Sequence, residues 1–214
     1  MNTTHIYIIR HGQSEANLKN IYIGHTDYDL TPRGHDQAEL VAEHFKDIHI
    51  DVIYSSDLSR AYSTALHTAN AKGLTPIKNK NLREIYAGEW EDVGFDTLVD
   101  KYKDDYGVWL KDTGNARCTG GESVAEMQKR FVGEVEKLAK ENIGKSIMIF
   151  THATPIRVIK AAWDKLTLDE IKTVPWAANA TVTHGVYEDG EFKMLEYGDY
   201  SFLGDNITQL IKNV

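Results

Sequence analysis

Short runs of apolar and β-branched residues alternate with polar, helix-favouring stretches along much of the chain. Three of these runs occupy residues 5–9, 51–54 and 146–150, and each is followed at once by polar residues. Short continuous apolar runs are typical of strands buried in a parallel sheet. The pattern therefore predicts a repeated order of strand, polar loop and helix.

The intervening stretches carry helix signals. Thr31 before Pro32 combines a capping residue with proline at the first helical position, which predicts a helix through residue 45. Residues 58–69 place apolar side chains on one helical face. Ser123 and Glu126 have capping-box spacing, which predicts the start of a long amphipathic helix.

Near the end of the chain, two alternating segments flank Asp189-Gly190. The segments cover residues 181–187 and 191–197. An Asp-Gly pair between such segments is typical of a tight hairpin turn. We therefore predict two antiparallel strands there.

Strands that alternate with helices predict an α/β fold, a three-layer sandwich with a mostly parallel central sheet flanked by helices. His11 and His152 each directly follow an apolar run, so both should lie at the carboxyl edge of this sheet, where ligands bind. Residues 85–121 are aromatic and charged, which predicts a lid-like insert. We interpret residues 1–214 as one domain.

Composition limits the classes of function. The net charge of −8 provides no long-range positive field, so we expect neither a nucleic-acid nor a membrane partner. Cys118 is the only cysteine and the first residues resemble no secretory signal, so we expect a cytoplasmic protein. The sequence leaves the oligomeric state open. An anionic substrate would need a local basic site.

Ordered motifs supply candidates for that site. They are RHGQSEAN at 10–17, GHTDYDLTPRGHDQA at 24–38, SSDLSRAYST at 55–64, LREIYAGEWE at 82–91, GGES at 120–123 and TH at 151–152. The set resembles the histidine phosphatase superfamily, in particular phosphatase-type members of its phosphoglycerate mutase-like branch. The resemblance implies a phosphoglycerate mutase-like fold and hydrolysis of a small phosphorylated metabolite through a covalent phosphohistidine. It implies no cofactor.

The resemblance also implies roles for the basic residues. His11 would be the nucleophile, with its tautomer fixed by a backbone carbonyl of the same turn. Arg10 and Arg60 would bind the phosphoryl oxygens with forked, permanently charged donors. Without the resemblance, Arg60 would be interpreted as a solvated surface residue. His152 would be the second histidine of the pocket, donating to the phosphoryl oxygens and orienting His11.

Glu84 would protonate the leaving oxygen and then accept a proton from the hydrolytic water. The alternative is an ordinary surface glutamate, because other acidic residues lie nearby. Asn17 is expected to be a further phosphate donor, and Gly24 and Ala153 are expected to contact the substrate. The nine histidines form no metal-ligand motif, so we predict no metal site.

Two departures from the family pattern stand out. Ala153, Thr154 and Pro155 follow His152 where relatives commonly have two glycines, which narrows the space and removes one backbone donor. Asp92 stands where the phosphatase branch usually has glycine. This change costs little unless the backbone there needs a positive φ.

Two other functions remain open. A phosphoglycerate mutase would need groups that grip a carboxylate, yet residues 85–121 contain no adjacent arginine pair. A catalytically silent binding module would keep the fold but lose the nucleophile or the acid, whereas His11 and Glu84 are both present. The aromatic side chains of the insert are expected mainly to pack within it. They are Tyr86, Trp90, Tyr102, Tyr106 and Trp109.

Overall fold

The computed structural model describes residues 3–208 and contains a central sheet of six strands. The strands are β1 (Thr4–Arg10), β3 (Val52–Ser55), β4 (Ile77–Lys78), β6 (Ser146–Thr151), β7 (Val182–Glu188) and β8 (Glu191–Asp199). Their order is β4-β3-β6-β1-β7-β8. The first four strands in this order pair in parallel, whereas β7 and β8 pair antiparallel. The predicted mostly parallel sheet is confirmed.

Helices cover both faces of the sheet and complete three layers. One face packs on α2 (Pro32–His44) and α3 (Ser59–Lys72), and the other packs on α6 (Val124–Glu141) and α7 (Ala153–Trp163). Within β1, Ile8 faces the second of these cores and Ile9 faces the first, as the twofold alternation of a strand requires. No helix among residues 3–208 is long and apolar enough to cross a membrane.

Local capping explains where the elements begin. The Thr31 side chain accepts a hydrogen bond from the Gly34 N–H at 3.0 Å, and Ser123 and Glu126 form the expected capping box. Asp189 and Gly190 both have positive φ, the conformation of a type I′ hairpin turn. The predicted helix starts and hairpin are therefore confirmed.

The carboxyl ends of three neighbouring strands meet at one edge of the sheet. Arg10 of β1 is paired with Thr151 of β6, and Ser55 of β3 is paired with Phe150. The residues that follow these strands therefore emerge side by side. Helices α3 and α7 begin at the same edge, so their N-terminal N–H groups lie there too.

The segment 85–121 contains β5 (Val93–Gly94), α4 (Phe95–Lys101) and α5 (Lys103–Lys111). It is joined to β2 (Ile21–Tyr22), which follows α1 (Glu15–Lys19), through antiparallel pairing of β2 and β5. Trp90 is fully buried and packs edge-on against Tyr106 and Trp109. Packing within the insert is therefore confirmed for these three rings. The lid-like character of the insert remains a prediction.

Candidate active site

His11 lies at the turn after β1 and is almost completely buried. Its backbone N–H donates to the Thr151 carbonyl at 2.9 Å, which ties the turn to β6. The ring Nδ1 lies 2.7 Å from the Gly12 carbonyl oxygen. Because a carbonyl can only accept, Nδ1 carries the proton and Nε2 keeps a free lone pair in the neutral ring. Gly12 thus supplies the carbonyl expected from within the turn.

The surroundings favour the neutral form of this imidazole. Burial lowers the pKa of His11 well below its ordinary value, and the charges of Arg60 and Arg10 lower it further. The hydrogen bond to Gly12 acts in the opposite direction but does not offset these effects. His11 is therefore uncharged at neutral pH.

Arg10 ends β1 and lines a cavity next to His11. Its Nη1 donates to the Ala177 carbonyl at 2.6 Å. Its Nε is buried and has no hydrogen-bond partner among residues 3–208. Burial lowers the pKa of Arg10 to about 10, against the opposing charge of Glu84, so the guanidinium stays charged at neutral pH. A buried, charged donor without a partner is rare and is suited to bind an anion.

Arg60 lies in the first turn of α3 and is 1% exposed, so its interpretation as a surface residue is wrong. It donates three hydrogen bonds, from Nε to His152 Nδ1 at 3.2 Å, from Nη1 to the Thr26 carbonyl at 3.0 Å and from Nη2 to the Gly24 carbonyl at 2.8 Å. The guanidinium is thereby fixed in place while some of its N–H groups remain for a ligand. Gly24 contacts Arg60 rather than lining the cavity.

His152 is fully buried behind His11, with ring centroids 5.2 Å apart and planes at 61°. Its Nδ1 accepts from Arg60, and its Nε2 lies 2.9 Å from Ser56 Oγ. Burial and then the charge of Arg60 lower its pKa well below the ordinary value. Both ring nitrogens thus have protein partners. For His152 to donate to phosphoryl oxygens, as predicted, one of its ring nitrogens would have to leave its present partner.

Glu84 is 7% exposed and lines the cavity, which excludes the surface interpretation. Its Oε1 accepts from the Ile85 N–H at 2.8 Å. Its Oε2 accepts from the N–H groups of Ala153 at 3.1 Å and Thr154 at 3.2 Å, at the start of α7. A helix N-terminus stabilises a carboxylate placed there. Ala153, which we expected to contact the substrate, lines the cavity, and its N–H is occupied by Glu84.

Asn17 lines the cavity from the first turns of α1. Its Oδ1 accepts from the Ser14 N–H at 3.1 Å and from Asn179 Nδ2 at 3.2 Å. Because the carbonyl side of the amide is used in this way, its Nδ2 remains as a donor. This is consistent with the expected role of Asn17 as a phosphate donor.

Asn179 was not predicted as a site residue. Its Nδ2 also donates to the His11 carbonyl at 3.1 Å, and its Oδ1 accepts from Thr208 Oγ at 3.0 Å. The next residue, Ala180, shares its N–H between the carbonyls of Arg10 at 3.1 Å and His11 at 3.2 Å. This loop therefore holds the turn at His11 through the Asn179 side chain and the Ala180 N–H. No sequence motif predicts this contact, because it depends on the pairing of β7 with β1.

Glu91 is a second residue that sequence reasoning did not single out. Its carboxylate accepts backbone N–H groups from Gly24 at 2.9 Å, His25 at 2.7 Å and Thr26 at 3.1 Å. Burial would raise the pKa of Glu91, but these hydrogen bonds outweigh it and the pKa is lowered. Glu91 thus fixes the loop whose carbonyls hold Arg60. Glu91 is the last residue of the segment 82–91, which resembles the family, so that resemblance could have pointed to it.

Asp92, the second departure from the family pattern, has a φ of 63°. The backbone at this position therefore does adopt the left-handed conformation that favours glycine. Its Oδ2 accepts a hydrogen bond from Thr26 Oγ at 3.2 Å. Aspartate tolerates this conformation better than most residues, which makes the departure compatible with the fold.

The cavity also has an apolar end, where several aromatic rings of its lining contact one another. It is lined by aromatic and β-branched side chains from β2, the loop after it, the insert and the loop after α7. These residues are Ile21, Tyr22, Ile23, Phe95, Trp109 and Trp176. Of the insert aromatics expected to pack internally, Trp109 therefore also faces the cavity. Among residues 3–208, no group of three or more His, Cys, Asp or Glu side chains is placed to hold a metal ion.

Comparison with known proteins identifies several to which this chain is similar. Phosphoserine phosphatase 1 from Hydrogenobacter thermophilus is 36% identical over 157 residues, which cover 73% of this chain and 74% of that protein. A 2,3-bisphosphoglycerate-dependent phosphoglycerate mutase from Cytophaga hutchinsonii is 28% identical over 179 residues, 82% and 84% of the two chains. The solved structure of Bacillus stearothermophilus YhfR has the same fold, with a TM-score of 0.90 at 24% identity, over 94% of this chain and 99% of that one.

A family model extends this likeness along most of the chain. The model of the histidine phosphatase superfamily, branch 1, matches residues 6–200. The chain therefore belongs to branch 1 of the histidine phosphatase superfamily, whose enzymes work through a phosphohistidine.

Proposed function

We propose that the chain hydrolyses small phosphomonoesters through a covalent phosphohistidine on Nε2 of His11. The observation that carries this proposal is a neutral, buried imidazole whose Nδ1 is held by Gly12, next to Arg10 and Arg60 with unfilled N–H groups. A neutral imidazole can attack phosphorus, and the guanidinium groups bind its oxygens. The relative named phosphoserine phosphatase 1 supports hydrolysis as the outcome.

In the first step, the His11 Nε2 lone pair forms a bond to phosphorus while the bond from phosphorus to the ester oxygen breaks. Arg10 and Arg60 stabilise the negative charge on the phosphoryl oxygens, with Asn17 as a further donor. Protonated Glu84 donates its proton to the leaving oxygen, so the product departs as an alcohol. The Ala153 N–H keeps the Glu84 carboxyl in position for this transfer.

In the second step, water attacks the phosphohistidine. The Glu84 carboxylate accepts a proton from the water as its oxygen bonds to phosphorus, and the bond to Nε2 breaks. Inorganic phosphate leaves, and His11 returns to its neutral state. His152 acts behind His11 by orienting Arg60 through the hydrogen bond at 3.2 Å. This role replaces direct donation in the proposal.

Phosphoglycerate mutase activity is the second candidate, favoured by the relative of that name. A mutase returns the phosphoryl group from histidine to an alcohol instead of to water. The two reactions share the first step, so the balance between them is decided by whether water or a second alcohol reaches the phosphohistidine.

The test measures phosphate release from a panel of phosphomonoesters in the presence of EDTA. We expect EDTA-resistant release by the wild type, loss of about 10⁴-fold or more in His11→Ala, and a large loss in Glu84→Gln. Brief reaction with a ³²P-labelled ester should leave an acid-labile, base-stable label on the wild type and none on His11→Ala.

Each alternative predicts a different result in the same assay. Retained activity in His11→Ala would contradict the mechanism. Isomerisation of phosphoglycerate that is faster than hydrolysis would favour the mutase. Ligand binding without release of phosphate or labelling of the protein would favour the silent binding module.

A further inference from the structure

The apolar end of the cavity limits which alcohol part the substrate can have. Once a phosphoryl group occupies the space between His11 and the two arginines, the rest of the substrate must lie against the remaining lining. That lining includes Phe95, Trp109 and Trp176, together with Ile21, Tyr22 and Ile23. Aromatic faces of this kind bind apolar and aromatic groups, by removing their surface from water and by stacking.

Trp176 is held in a fixed orientation at this end. Its ring stacks on Trp109 with centroids 6.1 Å apart and planes at 27°, and the Arg157 guanidinium lies 4.3 Å from its centre. Arg157 is itself fixed, because its Nε donates to the Val174 carbonyl at 2.8 Å and its Nη2 to the Lys172 carbonyl at 3.0 Å. The platform is therefore preorganised, which reduces the entropy lost on binding.

The apolar end has no cation free to bind a carboxylate within the described part of the chain. Of the charged side chains of residues 3–208, Arg10, Arg60 and Glu84 line the cavity. The two arginines face the phosphoryl position, and Glu84 supplies no positive charge in either protonation state. Arg157 lies behind Trp176, and its remaining nitrogen, Nη1, donates to Thr113 Oγ at 3.2 Å.

From this division we infer the substrate class: phosphomonoesters whose alcohol part is uncharged and apolar or aromatic, in preference to those that carry a carboxylate. The inference rests on the proposed function, because it concerns the leaving group of that reaction. It separates this chain from relatives whose names specify phosphoserine or phosphoglycerate, both of which carry a carboxylate.

Three synthetic esters test the preference with matched leaving oxygens. They are propyl phosphate, 3-phenylpropyl phosphate and 3-phosphonooxypropanoate, all esters of primary alcohols. We expect kcat/KM for the phenyl ester to exceed that of propyl phosphate by about tenfold, because burial and stacking of the ring favour binding. We expect the carboxylate ester to fall about tenfold below propyl phosphate, because its charge loses contact with water and meets no free cation at this end.

Variants separate the effect of this surface from general damage. Trp176→Ala should lower kcat/KM for the phenyl ester about tenfold more than kcat/KM for propyl phosphate, which would abolish the advantage of the phenyl ester. Phe192→Ala is the matched control, because Phe192 is also a half-buried aromatic residue but stacks on Trp163 away from the cavity. Ile21→Lys should raise the activity on the carboxylate ester about tenfold by supplying the missing cation.

The outcomes distinguish this inference from the function on which it rests. His11-dependent phosphate release with the carboxylate ester as the best substrate would overturn the inference and leave the hydrolase intact. A phenyl advantage that persists in Trp176→Ala would also overturn it, as would an Ile21→Lys variant that gains nothing on the carboxylate ester. Failure to release phosphate from any ester would overturn the proposed function and the inference together.

Discussion

The two ends of the cavity are built in different ways. At the charged end, the functional groups are held by directional hydrogen bonds, many of them to backbone, as with Glu84 on the N-terminus of α7 and Arg60 on the loop at residues 24–26. At the apolar end, Trp109 and Trp176 are held mainly by ring packing. Hydrogen-bonded charges depend steeply on geometry, whereas apolar burial scales with area. Substitutions should therefore have larger effects at the charged end.

The largest contrast is expected for Arg60→Lys. A lysine keeps the charge but cannot reproduce the hydrogen bonds that Arg60 makes to His152, Thr26 and Gly24, nor bind two phosphoryl oxygens at once. We expect kcat/KM to fall by about 10²–10³-fold, the usual effect of removing one preorganised donor to a developing anion. Steady-state kinetics with propyl phosphate measures this directly.

Arg117→Lys provides the matched control. Arg117 is half-exposed and pairs with Glu126 at 2.6 Å on the protein surface. Exposed ion pairs contribute little to stability, so this variant should retain activity within about twofold. If kcat/KM for propyl phosphate fell no further in Arg60→Lys than in Trp176→Ala, the proposed difference between the two ends would be contradicted.

Asn179→Ala, also at the charged end, should lower activity less than Arg60→Lys. The variant removes the donor to the carbonyls of His11 and Gly12 and leaves Asn17 Oδ1 without one of its partners. We expect kcat to fall about 10–100-fold, because small displacements of a nucleophile are costly. Loss of a buried hydrogen-bonding partner should also lower the free energy of unfolding by about 1–3 kcal/mol.

The comparison of kcat with stability decides what Asn179 does. Asn115→Ala is the control, because Asn115 bonds to Asp112 and Asp169 at the protein surface and should leave kcat unchanged. An Asn179→Ala variant that loses stability but keeps the kcat of the wild type would identify Asn179 as a structural residue alone. A fall in kcat at unchanged KM would identify it as a positioning residue.

The protonation of His11 can be tested by ¹⁵N NMR of the imidazole nitrogens, assigned by comparison with His11→Ala. We expect the neutral Nδ1–H tautomer to persist below pH 6.5, the ordinary value, because burial, Arg60 and Arg10 all lower the pKa of His11. Arg60→Gln removes one of these charges and should raise that pKa. A ring that is half protonated at its ordinary pH in the wild type would contradict the proposed ground state.

The same shift links the charged end to stability. The folded-state pKa of His11 lies below its unfolded value, so the unfolded chain binds the proton more readily. The resulting contribution to stability is fully present above the unfolded pKa and is lost as pH falls through the folded pKa. Arg60→Gln should raise the folded-state pKa of His11 and so narrow the pH interval between the folded and unfolded pKa values.

Much of the charged end could be predicted from the sequence because its residues sit at fixed positions beside regular elements. His11 follows β1, His152 follows β6, and Arg60 lies in the first turn of α3. Parallel strands bring such positions to one edge whatever the loops do. The burial of Arg60, by contrast, became evident only from its tertiary contacts.

The remaining contacts depend on segments that are distant in sequence and lack a regular pattern. Asn179 reaches His11 because β7 pairs antiparallel with β1, a pairing that local periodicity does not specify. Glu91 reaches residues 24–26 because the insert packs on that loop. At the apolar end, the aromatic insert suggested a packed core, but the contact of Trp176 with Trp109 joins two segments that no motif connects.

The smallest effects are expected where backbone conformation rather than side-chain chemistry matters. Asp92 within the insert has a φ of 63°, and Ala180 at the charged end has a φ of 58°. Alanine in this region is disfavoured by about 1–2 kcal/mol relative to its usual conformations, whereas aspartate and asparagine are more tolerant. Ala180 keeps its conformation because its N–H is held by the carbonyls of Arg10 and His11.

Asp92 tests this backbone effect, because its side chain is exposed and its hydrogen bonds, to Thr26 and Tyr28, lie at the surface. Asp92→Ala should lower the free energy of unfolding by about 1 kcal/mol through strain at positive φ and loss of those bonds. Asp92→Asn should stay within about 0.5 kcal/mol of the wild type, because asparagine tolerates the conformation and its amide oxygen can accept hydrogen bonds in the same place. Asp92→Gly should fall between them, since relief of strain is opposed by the greater freedom of glycine in the unfolded chain. Urea unfolding measures all three, and equal stability of the alanine and asparagine variants would show that the conformation at Asp92 carries no strain.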